Sequence, residues 1–379
     1  MENFNFHNPT HLHFGKGVTD TIGETAALYG KKVLLVYGRG SVIRYGYLDK
    51  IRDHLRKAAL KITEYGGIKP NPVIDDVDKS AEVGRKNKVE VVVAVGGGST
   101  IDSAKIIADC IAGNVKGWDI MSGKHTPVTA LPLIAVLTLA ATGTEMNGTS
   151  VLQNHETQEK IGFSSSLNYP RHSFLDPEFT CTVPVNYTVY GIVDLIAHCL
   201  EAYFGKGDAP LSDSFGYAII REAMQVGPLV KKEPFNYEYR ARIMWAATNA
   251  LNGLTICGRK SGDWGVHDIG HTLSFLFDTP HGASLSIAYP AWLRLHADRI
   301  PERIISLGEN LFGVNTVEET IRKLTTLFVS LGSPVHLSDI GIGNSAKNRI
   351  LSLMNKNNVT GLHHKLSEED RLKLMNYMM

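Results

Sequence analysis

"VEVVVAVGGGSTIDSAK" (residues 89–105) runs from valine and alanine into three consecutive glycines and then into a segment of helical period. β-Branched residues suit a pleated, buried strand. A strand without polar alternation is covered on both faces, as in a parallel sheet. The spacing therefore predicts a strand ending in the glycines and a helix over 100–113. Glycines let a backbone approach a ligand closely, and the first-turn N–H groups of the following helix attract anions. Gly96, Gly97, Gly98 and Ser99 read either as a pyrophosphate cradle or as a tight strand-to-helix turn. The spacing is not that of the G-x-G-x-x-G fingerprint.

Outward from this stretch the same alternation repeats. "KKVLLVYG" (31–38), "KITEYGG" (61–67) and "LPLIAVLTLAATG" (131–143) are strand-like, while 47–60 and 75–88 have helical spacing. Strand and helix in alternation predict an α/β, Rossmann-like parallel-sheet domain. The texture changes after "LDPEFTCTVP" (175–184). From Thr188 onward nearly everything has helical period, and Ser367 with Asp370 forms a capping box before the last helix. With 379 residues the chain exceeds one ordinary core. Residues 1–184 are expected to form a dinucleotide-binding α/β domain and 185–379 an all-α metal-binding domain, with the active site in the cleft between them.

Net charge is +1, from 39 basic and 38 acidic residues, which leaves no basic field for nucleic acid or an anionic membrane. No stretch approaches the ~20 apolar residues of a membrane span. The polar start "MENFNFHNPTHLHFG" has no apolar signal core. The four cysteines, Cys110, Cys181, Cys199 and Cys257, show no CxxC spacing and read as reduced packing residues. A cytoplasmic location is expected.

A second glycine loop, "VYGRGS" (36–41), ends the first of these strands. NAD-preferring domains often carry an acidic residue there for the ribose diol. Gly38, Arg39, Gly40 and Ser41 offer instead backbone N–H groups, a guanidinium and a hydroxyl, which suit a 2′-phosphate. NADP is thus expected over NAD, against the plainer reading of a helix-capping loop with a solvated arginine.

In "YGIVDLIAHCLEAYF" (190–204), Asp194 and His198 stand four apart on an apolar helix, and in "DWGVHDIGHTLSFLF" (263–277) His267 and His271 do the same. "DTP" (278–280) breaks that helix, and His281 opens the next. A lone carboxylate buried on an apolar helix is costly unless a cation pairs with it. Asp194, His198, His267 and His281 make a set suited to one divalent ion, Fe(II) or Zn(II), with a position open for a substrate oxygen. His271 reads as a fourth ligand, a proton relay or a structural residue. "HLH" (11–13) puts two rings on one face of a strand without a further ligand nearby in sequence. That pair and "HH" (363–364) read as solvated, and Arg259 with Lys260 reads as solvated or as a rim anion site.

With these motifs in order, "NFHNPTHLHFGKG", "PNP" (70–72), "GGGSTIDSAK", "LTLAATGTEMN" (137–147), "DLIAHCLE", "GDWGVHDIGH" and "PHG", the chain resembles the iron-containing (group III) alcohol dehydrogenases end to end. It is most similar to the NADP-dependent butanol dehydrogenase and aldehyde reductase branch. The resemblance implies metal ligands at Asp194, His198, His267 and His281. It implies dinucleotide contacts at Asn71, Gly97, Gly98, Ser99, Asp102, Thr138, Leu139, Thr142, Asn147 and Lys160, and a homodimer.

The expected reaction is metal-dependent interconversion of aldehydes and primary alcohols with NAD(P)H, run as an NADPH-dependent reduction. His271 is the candidate proton donor, and Trp264, Phe275 and Phe277 are candidate walls of an aliphatic pocket. The partner is a small aldehyde or alcohol, not nucleic acid or membrane. Three rival functions share parts of this pattern: a polyol or lactaldehyde reductase using NADH, a dehydroquinate-synthase-like lyase, and a non-catalytic dinucleotide-binding protein. The lyase needs a more cationic pocket than this sequence offers, and a degenerate binding protein has no reason to keep a complete ligand set.

Overall fold

The computed structural model describes all 379 residues. The chain runs through β1 (His11–Phe14), α1 (Ile22–Ala27), β2 (Lys32–Gly38), α2 (Ser41–Arg44), α3 (Tyr47–Lys57), β3 (Lys61–Ile68) and α4 (Ile74–Asn87). Next come β4 (Val91–Gly96), α5 (Gly98–Gly113), α6 (Gly117–Met121), β5 (Leu133–Leu137), the antiparallel hairpin β6 (Thr149–Asn154) and β7 (Glu159–Ser164), and β8 (His172–Leu175). Helices follow: α7 (Val185–Tyr203), α8 (Pro210–Lys232), α9 (Tyr237–Ala250), α10 (Gly265–Phe277), α11 (His281–Leu295), α12 (Pro301–Phe312), α13 (Val317–Leu331), α14 (Lys347–Lys356) and α15 (Glu368–Met378).

Six strands form one parallel sheet in the order β1-β8-β5-β4-β2-β3. All six residues of β4 are buried, which is why its sequence carries no polar alternation. Val91, Val93 and Val95 join Val33, Leu35, Ile51 and Leu55 in the core beneath α3. Chain order reverses between β2 and β4, since β3 lies outside β2 while β5 and β8 lie outside β4. Open α/β sheets bind ligands beyond the carboxyl ends of the strands at such a reversal. Tyr37 of β2 stands opposite Val95 of β4, so Gly38 and Gly96, which end these strands, are neighbours there.

The chain divides into two compact units. One comprises His7–Val183 with Phe235–Thr248, the other Met1–Phe6, Pro184–Pro234 and Asn249–Met379. Most of α9 thus groups with the sheet, where sequence periodicity alone read an uninterrupted helical half. The reason lies in its contacts: Trp245 meets Phe14 edge-on at 5.9 Å, Arg240 donates to the Val183 carbonyl, and Thr248 Oγ1 donates to the buried Glu145 carboxylate at 2.5 Å.

Two histidine readings need correction. Beside His11 and His13 stands a third ring, His172, because β1 pairs with β8 and His11 lies opposite His172. His363 and His364 are held rather than solvated. Their N–H groups donate to Asp263 Oδ1 at 2.8 and 2.7 Å, and the rings reach Ser261 Oγ and the Phe204 carbonyl. No helix is long and apolar enough to cross a membrane, and all four cysteines are free thiols. The Ser367–Asp370 capping box forms at the start of α15.

Candidate functional site

Two groups of residues answer to the sequence readings, one in each unit. In the sheet unit, α5 starts at Gly98 just beyond β4; the Thr100 and Ile101 N–H groups donate to the Gly97 carbonyl, and those of Gly98 and Ser99 come too early in the helix to have an acceptor within it. Together with the helix dipole they make the crevice at the strand-order reversal favourable for an anion. Gly98 is also fixed by packing: a Cβ there would fall 2.6 Å from Thr142 Oγ1. Ser99 Oγ donates to the Pro70 carbonyl, so its hydroxyl proton is already committed and the backbone N–H is the donor left for an anion.

The polar residues named around this loop are tied to one another. Asp102 is buried; its Oδ1 accepts from Thr144 Oγ1 at 2.5 Å and its Oδ2 from the Val151 N–H at 2.9 Å. Lys105 Nζ donates to Thr144 Oγ1 (2.7 Å), Asn147 Oδ1 (3.1 Å) and the Thr149 carbonyl (2.7 Å). Burial lowers its ammonium pKa to about 8, with Asp102 and Glu145 opposing. Lys160, on β7, donates to Asn71 Oδ1 at 2.9 Å, and the Thr138 N–H donates to the Gly96 carbonyl at 3.0 Å. Leu139 Cβ stands 3.3 Å from where a Cβ on Gly97 would be. In the second loop, Arg39 Nε donates weakly to the Gly67 carbonyl at 3.4 Å, the guanidinium lies exposed, and Ser41 opens α2.

In the helical unit, α7 presents Asp194, His198 and Glu201 at i, i+4 and i+7, one buried face. α10 carries His267 and His271. It ends at Phe277, with Asp278 left-handed at φ 53°, and α11 begins at His281. These elements bring three imidazole Nε2 atoms round one oxygen: Asp194 Oδ1 lies 3.7 Å from His198, 3.7 Å from His267 and 3.6 Å from His281. Asp194, His267 and His281 each offer a donor atom within 4.8 Å of the others. Neither Asp194 Oδ1 nor His267 Nε2 has a hydrogen-bond partner, although both are buried. Atoms about 2.0–2.1 Å from a shared tetrahedral ion stand about 3.4 Å from each other. The separations are too long for hydrogen bonds and suited to an ion, so the residues fit a divalent metal.

The carboxylates of this site call for a positive charge between the rings, which a proton on His267 supplies when no ion does. Burial opposes ionisation of Asp194, but the rings of His198, His281 and His267 outweigh it and hold the carboxyl well below the usual carboxylate range. Burial drives His198 down to about 4 against the pull of Asp194. For His267 burial is overcome by Asp194 and Glu201, which raise it to about 9.

Glu201 escaped the sequence reading. Its Oε1 accepts from His267 Nδ1 at 2.9 Å and from the His267 N–H at 3.0 Å, and its Oε2 accepts from the Trp264 N–H at 2.5 Å. A carboxylate only accepts, so Nδ1 carries a proton, and Nε2 becomes the ligand atom once an ion displaces its own proton. The signal was present, since residue 201 continues the spacing of 194 and 198. Trp264, left-handed at φ 64°, lies edge-on to His267 at 5.4 Å. His271 stacks on His281 with ring centroids 5.6 Å apart. The Arg349 guanidinium faces the Phe277 ring at 5.6 Å. Arg259 is neither solvated nor a rim anion site: it is buried, paired with Asp213 and donating to the Gly207 carbonyl at 2.8 Å.

Comparison with known proteins gives this arrangement its kin. Residues 9–177 match the model of the iron-containing alcohol dehydrogenases, and residues 188–378 that of the C-terminal part of the Fe-containing alcohol dehydrogenase family. The chain is 38% identical over 384 residues to a probable NADH-dependent butanol dehydrogenase 1 of Bacillus subtilis, covering 99% of each chain. It is 35% identical over 372 residues to the NADPH-dependent aldehyde reductase YqhD of Escherichia coli, covering 96% of this chain and 95% of that one. The crystal structure of NADH-dependent butanol dehydrogenase A from Thermotoga maritima superposes with a TM-score of 0.95 at 38% identity, over 100% of this chain and 99% of the other. The chain belongs to the iron-containing alcohol dehydrogenase family, metal-dependent oxidoreductases that interconvert aldehydes and alcohols with a nicotinamide cofactor.

Proposed function

We propose that this protein is a cytoplasmic, NADPH-preferring reductase of short to medium aliphatic aldehydes, in which Asp194, His198, His267 and His281 hold one Fe(II) or Zn(II) ion. The observation that carries the reading is the approach of three imidazole nitrogens to the one buried oxygen of Asp194, at 3.6–3.7 Å. The names of two relatives, a butanol dehydrogenase and an aldehyde reductase, support butanal as the substrate to try. Those names differ in cofactor. NADPH is favoured here because the loop after β2 carries Arg39 and Ser41 and no carboxylate.

When bound, the metal supplies a Lewis acid for the carbonyl oxygen and the nicotinamide supplies the hydride. The first-turn N–H groups of Gly98 and Ser99, with Gly97, take the pyrophosphate. Gly38, Arg39, Gly40 and Ser41 take the 2′-phosphate, and Asn71, Asp102, Thr138, Leu139, Thr142, Asn147 and Lys160 border the dinucleotide. Asn71, Asp102 and Asn147 are held by the protein's own hydrogen bonds, so they shape the site more than they grip the ligand. Glu201 keeps Nε2 of His267 aimed at the ion. His271, one turn along α10 from His267, gives the proton that the product alcohol oxygen needs. The edge strand β1 has one unpaired side, which suits pairing between two copies as a homodimer.

The test is oxidation of NADPH and NADH with butanal, on chelator-stripped protein reloaded separately with zinc and iron(II). Metal-restored turnover with NADPH at least about tenfold better than NADH in kcat/KM is expected. A charge-assisted contact contributes about 1.5–3 kcal/mol, so Arg39→Ala should cost about 10- to 100-fold with NADPH and leave NADH nearly unchanged. Restored turnover with NADH alone would keep the metal reading and sink the cofactor reading. Bound cofactor without turnover of any aldehyde would sink the whole. For His271→Gln the expected loss is about 10²–10⁴ in kcat with an altered pH profile; full activity with an unchanged profile would reduce His271 to a structural role.

A further inference from the structure

We propose that His11, His13 and His172 form a second metal site, for a late divalent transition-metal ion such as Zn²⁺, on one face of the β1–β8 edge of the sheet. His11 and His13 are two residues apart on β1, so their rings leave the same face of the strand. The parallel register sets His172 opposite His11 on the neighbouring strand. The three rings gather closely: centroids are 4.4 Å apart for His11 and His13, 5.1 Å for His11 and His172, and 5.3 Å for His13 and His172. One ring nitrogen of each lies within 4.8 Å of the other two.

The donors are arranged as ligands are. His13 Nε2 and His172 Nδ1 are 3.0 Å apart, against about 3.4 Å for two nitrogens on one tetrahedral zinc, so a few tenths of an ångström admit the ion. His172 Nε2 meets Tyr29 Oη at 3.0 Å. A metal-bound imidazole characteristically spends its second nitrogen on such a partner, which fixes the tautomer and leaves Nδ1 to bind. His13 lies flat on Phe174, ring centroids 4.3 Å apart and 4° from parallel, so its ring is already oriented. Without an ion, His13 and His172 share one hydrogen bond and His11 contributes only stacking. Three imidazoles and no carboxylate select zinc, copper or nickel over calcium or magnesium. His11 is exposed while His13 and His172 are half-buried, so solvent reaches the remaining coordination positions. The ion would clamp the four-residue strand β1 to its neighbour β8 within one chain.

The experiment is Zn²⁺ titration of tag-free holoenzyme loaded with zinc at the Asp194 site, with bound metal counted after equilibrium dialysis. Two zinc ions per chain are expected in the parent protein. One is expected in His11→Ala, where the exposed position spares the fold, and one in His172→Ala, both with butanal turnover retained. Asp194→Asn should lose the other ion and keep this one, which separates the two sites. Tyr29→Phe should weaken the second binding about tenfold without abolishing it. With Co²⁺ as probe, the visible bands of a tetrahedral imidazole site should accompany the second equivalent and vanish with His11→Ala. A single zinc per chain in the parent protein would overturn the proposal. So would a second ion that survives both histidine substitutions.

Discussion

Asp194→Asn is expected to abolish metal binding at the α7–α10–α11 site and to cut kcat/KM for aldehyde reduction about a thousandfold or more. The substitution keeps the size of the side chain and removes its charge, leaving three imidazoles to hold a dication at a buried site with no anion to offset its lost hydration, whereas the exposed His11 leaves the β1–β8 site open to water. A Lewis acid at a carbonyl oxygen contributes several kcal/mol to the barrier, and about 4 kcal/mol is a factor of about 10³. The geometry makes Asp194 the hub, since its Oδ1 is the atom that all three Nε2 groups approach at 3.6–3.7 Å. Elemental analysis and steady-state kinetics on the same preparation check it. Full metal occupancy in the variant would mean that the histidines suffice; full activity without metal would remove the Lewis acid from the chemistry. Lowering pH should weaken metal retention in the parent protein in the same sense, because protons compete for the imidazoles.

How far the sequence carried these conclusions depended on whether a feature was local. β4 was legible because every one of its residues is buried, so its composition alone reports a central parallel strand. The ligands on α7 and α10 were legible because four-residue spacing on an apolar helix is a local signal, and Glu201 was legible in principle for the same reason. The hairpin β6–β7 was not. Its buried faces carry Gln153, Asn154 and Lys160, polar residues whose partners are distant in sequence, as Asn71 is from Lys160, 89 positions away. Arg259 beside Lys260 looks like surface until Asp213, 46 positions earlier, pairs with it. His172 stands 159 positions from His13, and only strand order brings them together. Charge and polarity in the sequence are thus poor guides to exposure wherever a distant partner neutralises them.

Gly282→Ala tests whether helix packing, and not ligand chemistry alone, sets the metal geometry. Gly282 is the second residue of α11, next to His281, and faces α7 at Tyr190, one turn before Asp194. A Cβ at Gly282 would lie 2.6 Å from the Tyr190 carbonyl carbon and closer still to its oxygen. That neighbour is main chain inside a 19-residue helix, so no side-chain rotation can relieve the clash. The start of α11 must shift, and His281 Nε2 moves off the 3.6 Å approach to Asp194 that an ion would bridge. Overpacking of this kind costs about 1–3 kcal/mol. The expected result is therefore a lower melting temperature together with at least tenfold weaker metal binding. Gly343→Ala serves as the control, because a Cβ there meets nothing within 4 Å and its stability should stay within about 0.5 kcal/mol of the parent. If Gly282→Ala melted early yet bound metal as tightly as the parent, the contact would serve the fold alone. If it lost metal and activity while the control kept both, the glycine after His281 would be part of how this fold aims a ligand.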